Sequence, residues 1–179
     1  LYAGYAITKL QVWGRMLFII ALFWTVSFMT IYAVPNTRIS ASDWILATIP
    51  TGSTIAVEHW DDRLPIYDSE RYHIESLPLY EYPDNTKKLS YINQILDQSD
   101  YLIIASNRLY RPLQELGDCV KYPHCYNLTA SYYRDLFANQ RGFTLVKTFR
   151  VSPLGSNDEL ADESFTVYDH PTVLIFKKN

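Results

Sequence analysis

The sequence lacks most of the short motifs that identify nucleotide-binding proteins and hydrolases. It has only six glycines in 179 residues, and neither G-x-G-x-x-G nor G-x-x-x-x-G-K occurs. The serine-hydrolase motif G-x-S-x-G and the zinc-peptidase motif H-E-x-x-H are absent as well. These absences leave phosphate-loop, serine-hydrolase and zinc-peptidase functions without their usual signals, and we predict no cofactor.

Acidic side chains are absent from the first 42 residues. All 19 of them follow, so residues 36–179 carry five more acidic than basic side chains. An excess of negative charge does not favour binding to a phosphate backbone, and we expect no nucleic-acid partner. Residues 36–179 also have the length of one ordinary domain, able to bury its own core.

Cysteine is scarce, and the only two, Cys119 and Cys125, lie close together in LGDCVKYPHCYNLT. Glycine, proline and asparagine make this segment a predicted loop. In an oxidising compartment the two thiols could close a small disulfide loop, but sequence does not give the geometry that decides it. Only His124 is nearby as a further soft ligand, so we predict no metal site.

Against these absences stands one long apolar run, from Met16 to Val34, with no charged side chain between Arg15 and Pro35. About 20 apolar residues, each rising about 1.5 Å, cross a hydrocarbon core of about 30 Å. The apolar core of a signal peptide is shorter and is followed by small residues. We therefore predict a membrane segment over 1–35, with a transmembrane helix at about 16–34.

Basic residues near the run indicate its orientation. Lys9 and Arg15 precede it, whereas Arg38 alone follows it closely. The positive-inside rule then places the N-terminal side in the cytoplasm. We expect an integral protein of the cell membrane, in contact with the lipid bilayer, whose residues 36–179 form an extracytoplasmic domain.

Within that domain the apolar spacing alternates between helical and strand patterns. Helices are predicted over 38–49, 85–99 and 130–140, and strands over 53–60, 100–107, 143–151, 164–168 and 172–178. Residues 62–84 show neither period and are predicted to be an ordered excursion rich in tyrosine and proline.

Alternating helices and strands predict an α/β fold class: one N-terminal transmembrane helix followed by a small mixed α/β domain. The sheet is expected to be mostly parallel, with helices packed on it. The predicted strands 164–168 and 172–178 flank Asp169-His170-Pro171, so we expect a C-terminal β-hairpin.

A polar cluster follows the first predicted strand. His59, Asp61 and Asp62 come directly after Glu58, and in open α/β sheets ligands bind beyond the carboxyl ends of the strands. Two carboxylates beside an imidazole could bind a cation, orient sugar hydroxyls or exchange protons. Solvated side chains of an ordinary loop give the same pattern, so His59, Asp61 and Asp62 are candidate catalytic residues only.

Four sequence stretches together resemble a known family. They are P-N-T-R-I-S-A-S-D-W-I, I-P-T-G-S-T-I-A-V-E-H-W-D-D, D-Y-L-I-I-A-S-N-R-L-Y and D-E-S-F-T-V-Y-D-H-P-T-V-L-I-F. From about residue 14 to residue 179 the chain resembles the C-terminal end of bacterial multi-pass glycosyltransferases related to the protein O-mannosyltransferases and the lipid A aminoarabinose transferases. In that group a soluble domain follows the last membrane helix.

The resemblance implies transfer of a sugar from a polyprenyl-phosphate donor. It also implies that the catalytic acidic residue lies in a first extracytoplasmic loop outside this chain, so no catalytic residue of the family can be placed here. The segment from Cys119 to Cys125 departs from the family pattern as a local elaboration.

Three functions remain open on sequence grounds. The chain could be the accessory domain of such a transferase, inactive by itself. It could instead be a signal-anchored extracytoplasmic binding domain without enzymatic activity, with Glu58, His59 and the tyrosine-rich excursion forming the site. A third hypothesis is a membrane-tethered enzyme that uses the cluster from His59 to Asp62.

Overall fold

A computed structural model describes residues 4, 5, 9, 11–152 and 161–179. The chain divides into two compact units, which are Leu1–Pro35 with Val151–Asn157, and Asn36–Arg150 with Asp158–Asn179. The chain first passes from one unit to the other after Pro35, where the sequence places the end of the membrane segment.

The first unit contains a long apolar helix, α1, over Gln11–Met29, followed by a 3-10 turn over Thr30–Ala33. Its large apolar side chains are exposed: 61% for Phe23 and 55% for Trp24, for example. A helix in the core of a soluble domain would bury such side chains. Among the described residues this is the one helix long and apolar enough to cross a membrane.

The second unit is an α/β domain, which confirms the predicted fold class. Its helices and strands are α2 Thr37–Thr48, β1 Thr54–Glu58, β2 His73–Leu77, α3 Thr86–Gln98, β3 Tyr101–Ile104, α4 Tyr110–Glu115, α5 Asn127–Phe137, β4 Phe143–Phe149 and β5 Val173–Lys178.

The five strands form one mixed sheet in the order β2-β1-β3-β5-β4. β1 is parallel to both of its neighbours, with Ile55 opposite Ile74 of β2 and Tyr101 of β3. β5 is antiparallel to β3 and to β4. Strands β1 to β4 therefore run in one direction and only β5 runs against them.

Alternate side chains of the strands pack on opposite faces of the sheet. Leu102 and Phe176 belong to a core with buried side chains of α3, α4 and α5, whereas Ile55 and Ile103 pack with Ala41 and Ile45 of α2. Because β1 and β3 are covered on both faces, Ile55, Ala56 and Val57 of β1 and all four residues of β3 are buried and apolar.

Two predictions about the strands are wrong. The predicted strand 164–168 is a π-helical turn, Ser164–Asp169, and the C-terminal antiparallel pair consists of β4 and β5. Polar contacts from the start of α2 hold the turn and the residues after it: Asn36 Nδ2 donates to the carbonyl of Asp169 and Thr37 Oγ1 to that of Pro171, both at 2.5 Å. The excursion 62–84 contains the unpredicted strand β2, an edge strand with several exposed residues.

Polar side chains fix the starts of two helices. The sequence offers Asn85 or Thr86 as the cap of α3. Asn85 is the cap, and its side chain accepts a hydrogen bond from the Lys88 amide at 3.0 Å. Helix α5 begins three residues before its predicted start. The Asp84 carboxylate accepts from the amide of Leu128 at 2.7 Å and from that of Thr129 at 3.3 Å. A negative charge there suits the positive end of the helix dipole.

Candidate functional site

The carboxyl ends of β1 and β3 form the topological switch point of the sheet. From β1 the chain crosses to β2 on one side and then returns to β3 on the other side. Ligands of open α/β sheets bind in the crevice outside these strand ends. We call residues 58–62, the last residue of β1 and the four residues after it, the β1 loop.

Glu58, the last residue of β1, is buried with 3% of its surface exposed. Its Oε1 accepts a hydrogen bond from the Tyr133 hydroxyl at 2.5 Å, and its Oε2 has no hydrogen-bond partner among the described residues. Burial raises the pKa of Glu58 to about 8, although the hydrogen bond from Tyr133 acts in the opposite direction. Glu58 is therefore mostly neutral at pH 7.

Tyr133 remains protonated beside it. Burial and the neighbouring Glu58 carboxylate raise the pKa of Tyr133 well above its ordinary value of 10. The pKa of Tyr132, also buried, is raised by the same two causes. Sequence analysis named Glu58 as one member of a polar cluster, but it did not identify Tyr133 as its partner, because the two residues are 75 positions apart.

Asp61 is held on all sides. Its side chain is 2% exposed and accepts hydrogen bonds from Ser106 Oγ at 2.5 Å and from Arg38 Nη2 at 3.4 Å. The amide of Asp62 donates to the same carboxylate at 2.8 Å. A carboxylate with these partners fixes the loop in place and has little capacity left for a substrate.

Arg38 joins three segments of the domain at this point. Besides Asp61, its Nη2 donates to the carbonyl of Val167 at 2.6 Å, and its Nε lies 3.0 Å from an oxygen of Asp62. From the sequence, Arg38 is only the basic residue that follows the apolar run and begins a predicted helix. Its guanidinium connects α2, the β1 loop and the turn Ser164–Asp169.

The remaining candidates lie toward solvent. Asp62 keeps 64% of its side chain exposed while it pairs with Arg38. His59 is exposed and packs edge to face with Trp60, whose ring centroid is 5.5 Å away. Within the described part of the chain no carboxylate lies within 4 Å of an imidazole nitrogen of His59, so the structure does not join His59, Asp61 and Asp62 into one acid–base group.

No metal centre is visible in the described residues. No group of three or more histidine, cysteine, aspartate or glutamate side chains there converges as a metal site would require. Cys119 and Cys125 form a disulfide, with 5.0 Å between their Cα atoms.

An aromatic cluster lies beyond the carboxyl end of β2. Tyr80 stacks on Tyr126 at 5.7 Å, and Tyr82 makes edge contacts with Tyr126 and with His124 of the disulfide loop. Tyr80 and Tyr82 are about half exposed. Both rings pack on Tyr126 and so order the excursion. The exposed part of each ring remains available to a ligand.

A pocket of about 280 Å³ lies beyond the carboxyl end of β3. We call it the β3 pocket, and its lining residues are Asn107, Arg108, Arg111, Pro112, Glu115, Ala161, Glu163, Thr166 and Val167. It has walls from two segments, 107–115 and 161–167. Sequence analysis did not find it, because charged residues spaced along a short helix are typical of any exposed surface.

Comparison with known proteins finds no match: no protein family, curated protein or solved structure is detectably similar to this chain.

Proposed function

We propose that the chain is the C-terminal part of an integral-membrane glycosyltransferase that takes its sugar from a polyprenyl-phosphate donor. In this proposal residues 36–179 form the extracytoplasmic accessory domain. The catalytic acidic residue lies in the first extracytoplasmic loop, outside this chain, and the domain shapes access of the acceptor or supports the membrane core.

The observation that carries the proposal is the direct connection of an apolar helix of membrane length to a small α/β domain. Helix α1 ends at Met29, and α2 begins at Thr37 with its capping residue already bonded into the domain. The resembling transferases have this order of elements.

The polar groups of the β1 loop favour an accessory role over catalysis by the domain itself. The Asp61 side chain is buried and bonded to Ser106 and Arg38, and Glu58 is buried with its pKa raised to about 8. A general base must reach the proton that it abstracts, and neither of these carboxyls reaches solvent. The exposed Asp62 and His59 are not paired with each other.

An extracytoplasmic location is consistent with the charges and with the cysteines. Lys9 and Arg15 lie before α1, on the side that the positive-inside rule assigns to the cytoplasm. The disulfide between Cys119 and Cys125 suits an oxidising compartment.

The β3 pocket favours a second candidate function, a membrane-anchored binding domain without transferase activity. Such a domain needs only a tether and a ligand site, and α1 with the β3 pocket would provide both. The two candidates differ in whether sugar transfer occurs.

The test uses the full-length gene product that contains this chain, reconstituted in lipid vesicles. A polyprenyl phosphate carrying radiolabelled mannose or aminoarabinose is supplied, and label that appears in a lipid or protein acceptor is measured. We expect transfer by the full-length protein and none by residues 1–179 alone. Absence of transfer with every donor, or a gene product without further membrane spans, would overturn the transferase proposal and favour the binding domain.

Orientation is tested separately in intact cells. A protease that cannot cross the membrane, added to spheroplasts, is expected to digest the domain, whereas a tag placed before Lys9 is expected to stay protected. Protection of the domain with loss of the tag would mean that the assigned orientation is reversed.

A further inference from the structure

The β3 pocket combines charges of both signs on two facing segments. Arg108, Arg111 and Glu115 come from the segment that contains α4, and Glu163 comes from the segment at 161–167. Asn107 and Thr166, both buried, add an amide and a hydroxyl. The pocket therefore offers several donors and several acceptors within one concave site.

Three of these charged side chains form no hydrogen bond or ion pair within the described ranges. Arg108 contacts the ring of Tyr168, with its Cζ atom 5.7 Å from the ring centroid, but its guanidinium forms no hydrogen bond or ion pair there. The carboxylates of Glu115 and Glu163 likewise form none. By contrast, the side chains of Arg38 and Asp61 in the β1 loop region form hydrogen bonds within the domain.

The mixture of charges selects the chemistry of the ligand. A phosphate group only accepts hydrogen bonds and would meet two carboxylates, and a simple cation would meet two guanidinium groups. A hydroxyl group both donates and accepts, so it can bond to Glu and to Arg at once. A ligand that carries several adjacent hydroxyls can bond to the guanidinium and carboxylate groups of this lining, and it brings no charge that either of them would repel.

From this arrangement we infer that the β3 pocket binds one pyranose unit of a saccharide. A volume of about 280 Å³ is near the lower limit, about 300 Å³, of small-molecule pockets, which suits a single sugar ring. Tyr168 is 60% exposed, and its ring contacts the lining residue Arg108, so the part of the ring that Arg108 leaves uncovered is near the pocket for the apolar face of the sugar.

The inference extends beyond the proposed function, because saccharide binding does not require the transferase core. In a transferase the site would hold a glycan acceptor or part of one. In a membrane-anchored binding domain it would be the main ligand site. Binding without transfer would leave the inference intact while it overturns the transferase proposal.

The experiment measures binding to residues 1–179 in lipid nanodiscs. Saturation-transfer NMR is recorded with methyl α-D-mannopyranoside, methyl β-D-glucopyranoside and methyl β-D-galactopyranoside, and with inorganic phosphate and glycine as competitors. The test variants are Arg108→Gln and Glu163→Gln. The matched controls are Arg71→Gln, just before the amino end of β2, and Glu75→Gln, on the edge strand β2.

We expect at least one glycoside to bind and each test variant to weaken that binding about tenfold, since each loses a charge-assisted hydrogen bond. The two controls should bind as the unchanged protein does, and phosphate and glycine should not compete. Each variant is first checked for an unchanged melting temperature. Failure of all three glycosides to bind, equal binding by the test variants, or displacement by phosphate or glycine would overturn the inference.

Discussion

The β1 loop and the β3 pocket lie beyond the ends of two adjacent parallel strands, yet they use charge in opposite ways. In the β1 loop, Asp61 is 2% exposed and is bonded to Arg38, to Ser106 and to the Asp62 amide. In the β3 pocket, Arg108 and Glu163 face a cavity without ion-pair partners in the described part of the chain.

The difference separates charges that hold the fold from charges that are available to a ligand. A buried charge must be paired and hydrogen-bonded, because desolvation of a lone charge costs several kcal/mol. A charge at the wall of an open pocket remains hydrated and incurs no such penalty. Substitutions in the two regions should therefore affect different properties, stability in the first and binding in the second.

The largest effect is expected from Arg38→Ala. Removal of the guanidinium leaves the Asp61 carboxylate buried and only partly compensated, and it frees the carbonyl of Val167. Breaking a buried ion pair on one side costs about 3–5 kcal/mol, and we expect a loss of that size in the free energy of unfolding. Urea denaturation followed by tryptophan fluorescence measures it.

Arg71→Ala is the matched control, since Arg71 is exposed and its Nη2 donates to the exposed Thr51 Oγ1. It should change the free energy of unfolding by less than about 1 kcal/mol. Equal losses of unfolding free energy in Arg38→Ala and Arg71→Ala would mean that the buried ion pair of the β1 loop stabilises the domain no more than an exposed contact does.

A second effect concerns the dependence of stability on pH. The folded pKa of Glu58 is about 8 and its ordinary value is 4.5, so between these two pH values the folded state holds a proton that the unfolded state has lost. Glu58 therefore lowers stability as pH rises through this window, by at most about 1.4 kcal/mol per pH unit.

Glu58→Gln should remove this dependence and flatten the stability profile between pH 5 and pH 8. The amide approximates the neutral carboxyl that Tyr133 contacts at pH 7, so the domain should still fold. Thermal unfolding at several pH values measures the slope. A slope unchanged by the substitution would mean that Glu58 is ionised in the folded domain.

Asp84→Asn should have a smaller effect that is lost in acid. Burial acts to raise the pKa of Asp84, but hydrogen bonds from Lys88 and Thr129 outweigh it and hold the pKa below its ordinary value of 3.8. The charge therefore stabilises the domain above about pH 4, and the contribution disappears as pH falls through the lowered pKa.

We expect Asp84→Asn to cost about 1.5–3 kcal/mol at pH 7, the range for a hydrogen bond to a charged group, and less at pH 3. Chemical denaturation at both pH values provides the comparison. A loss as large at pH 3 as at pH 7 would point to packing and not to charge.

The smallest effect on stability is expected in the β3 pocket. Glu163→Gln and Arg108→Gln remove charges without described ion-pair partners, so the free energy of unfolding should change by no more than about 0.5 kcal/mol. A loss of several kcal/mol in either variant would mean that these charges support the fold, and the contrast between the two regions would fail.

Local patterns predicted the elements whose residues determine their own structure. The apolar run YLII predicts β3, and the capping residues Asn85 and Thr86 predict the start of α3 to within one residue. The edge strand β2 was not predicted, because HIESL has only two apolar residues and two adjacent polar ones, Glu75 and Ser76, so it shows no strand period. Its structure depends on pairing with β1. The segment at 164–168 has the β-branched and aromatic residues of a strand, but Arg38 and Asn36 bond to carbonyls of the turn it forms.

The candidate site was predictable only in part, for a related reason. His59, Asp61 and Asp62 are close in sequence, and their position after a strand indicated a polar loop. Their partners are distant: Ser106 lies 45 positions from Asp61, and Arg38 lies 23 positions away. Such long-range pairings decide whether a carboxylate is available to a ligand or is hydrogen-bonded within the fold. The local spacing of residues does not reveal them.

Sugar transfer by the full-length protein with the double substitution His59→Ala and Asp62→Asn tests the central claim most directly. Both side chains are exposed, so the domain should fold, and both belong to the polar cluster that the sequence suggests as a candidate catalytic site. If the β1 loop serves the fold and the chemistry lies elsewhere, the rate of transfer should stay within about twofold of the unchanged protein. A loss of about a hundredfold or more with an unchanged melting temperature would place general acid–base catalysis in this loop and contradict the account.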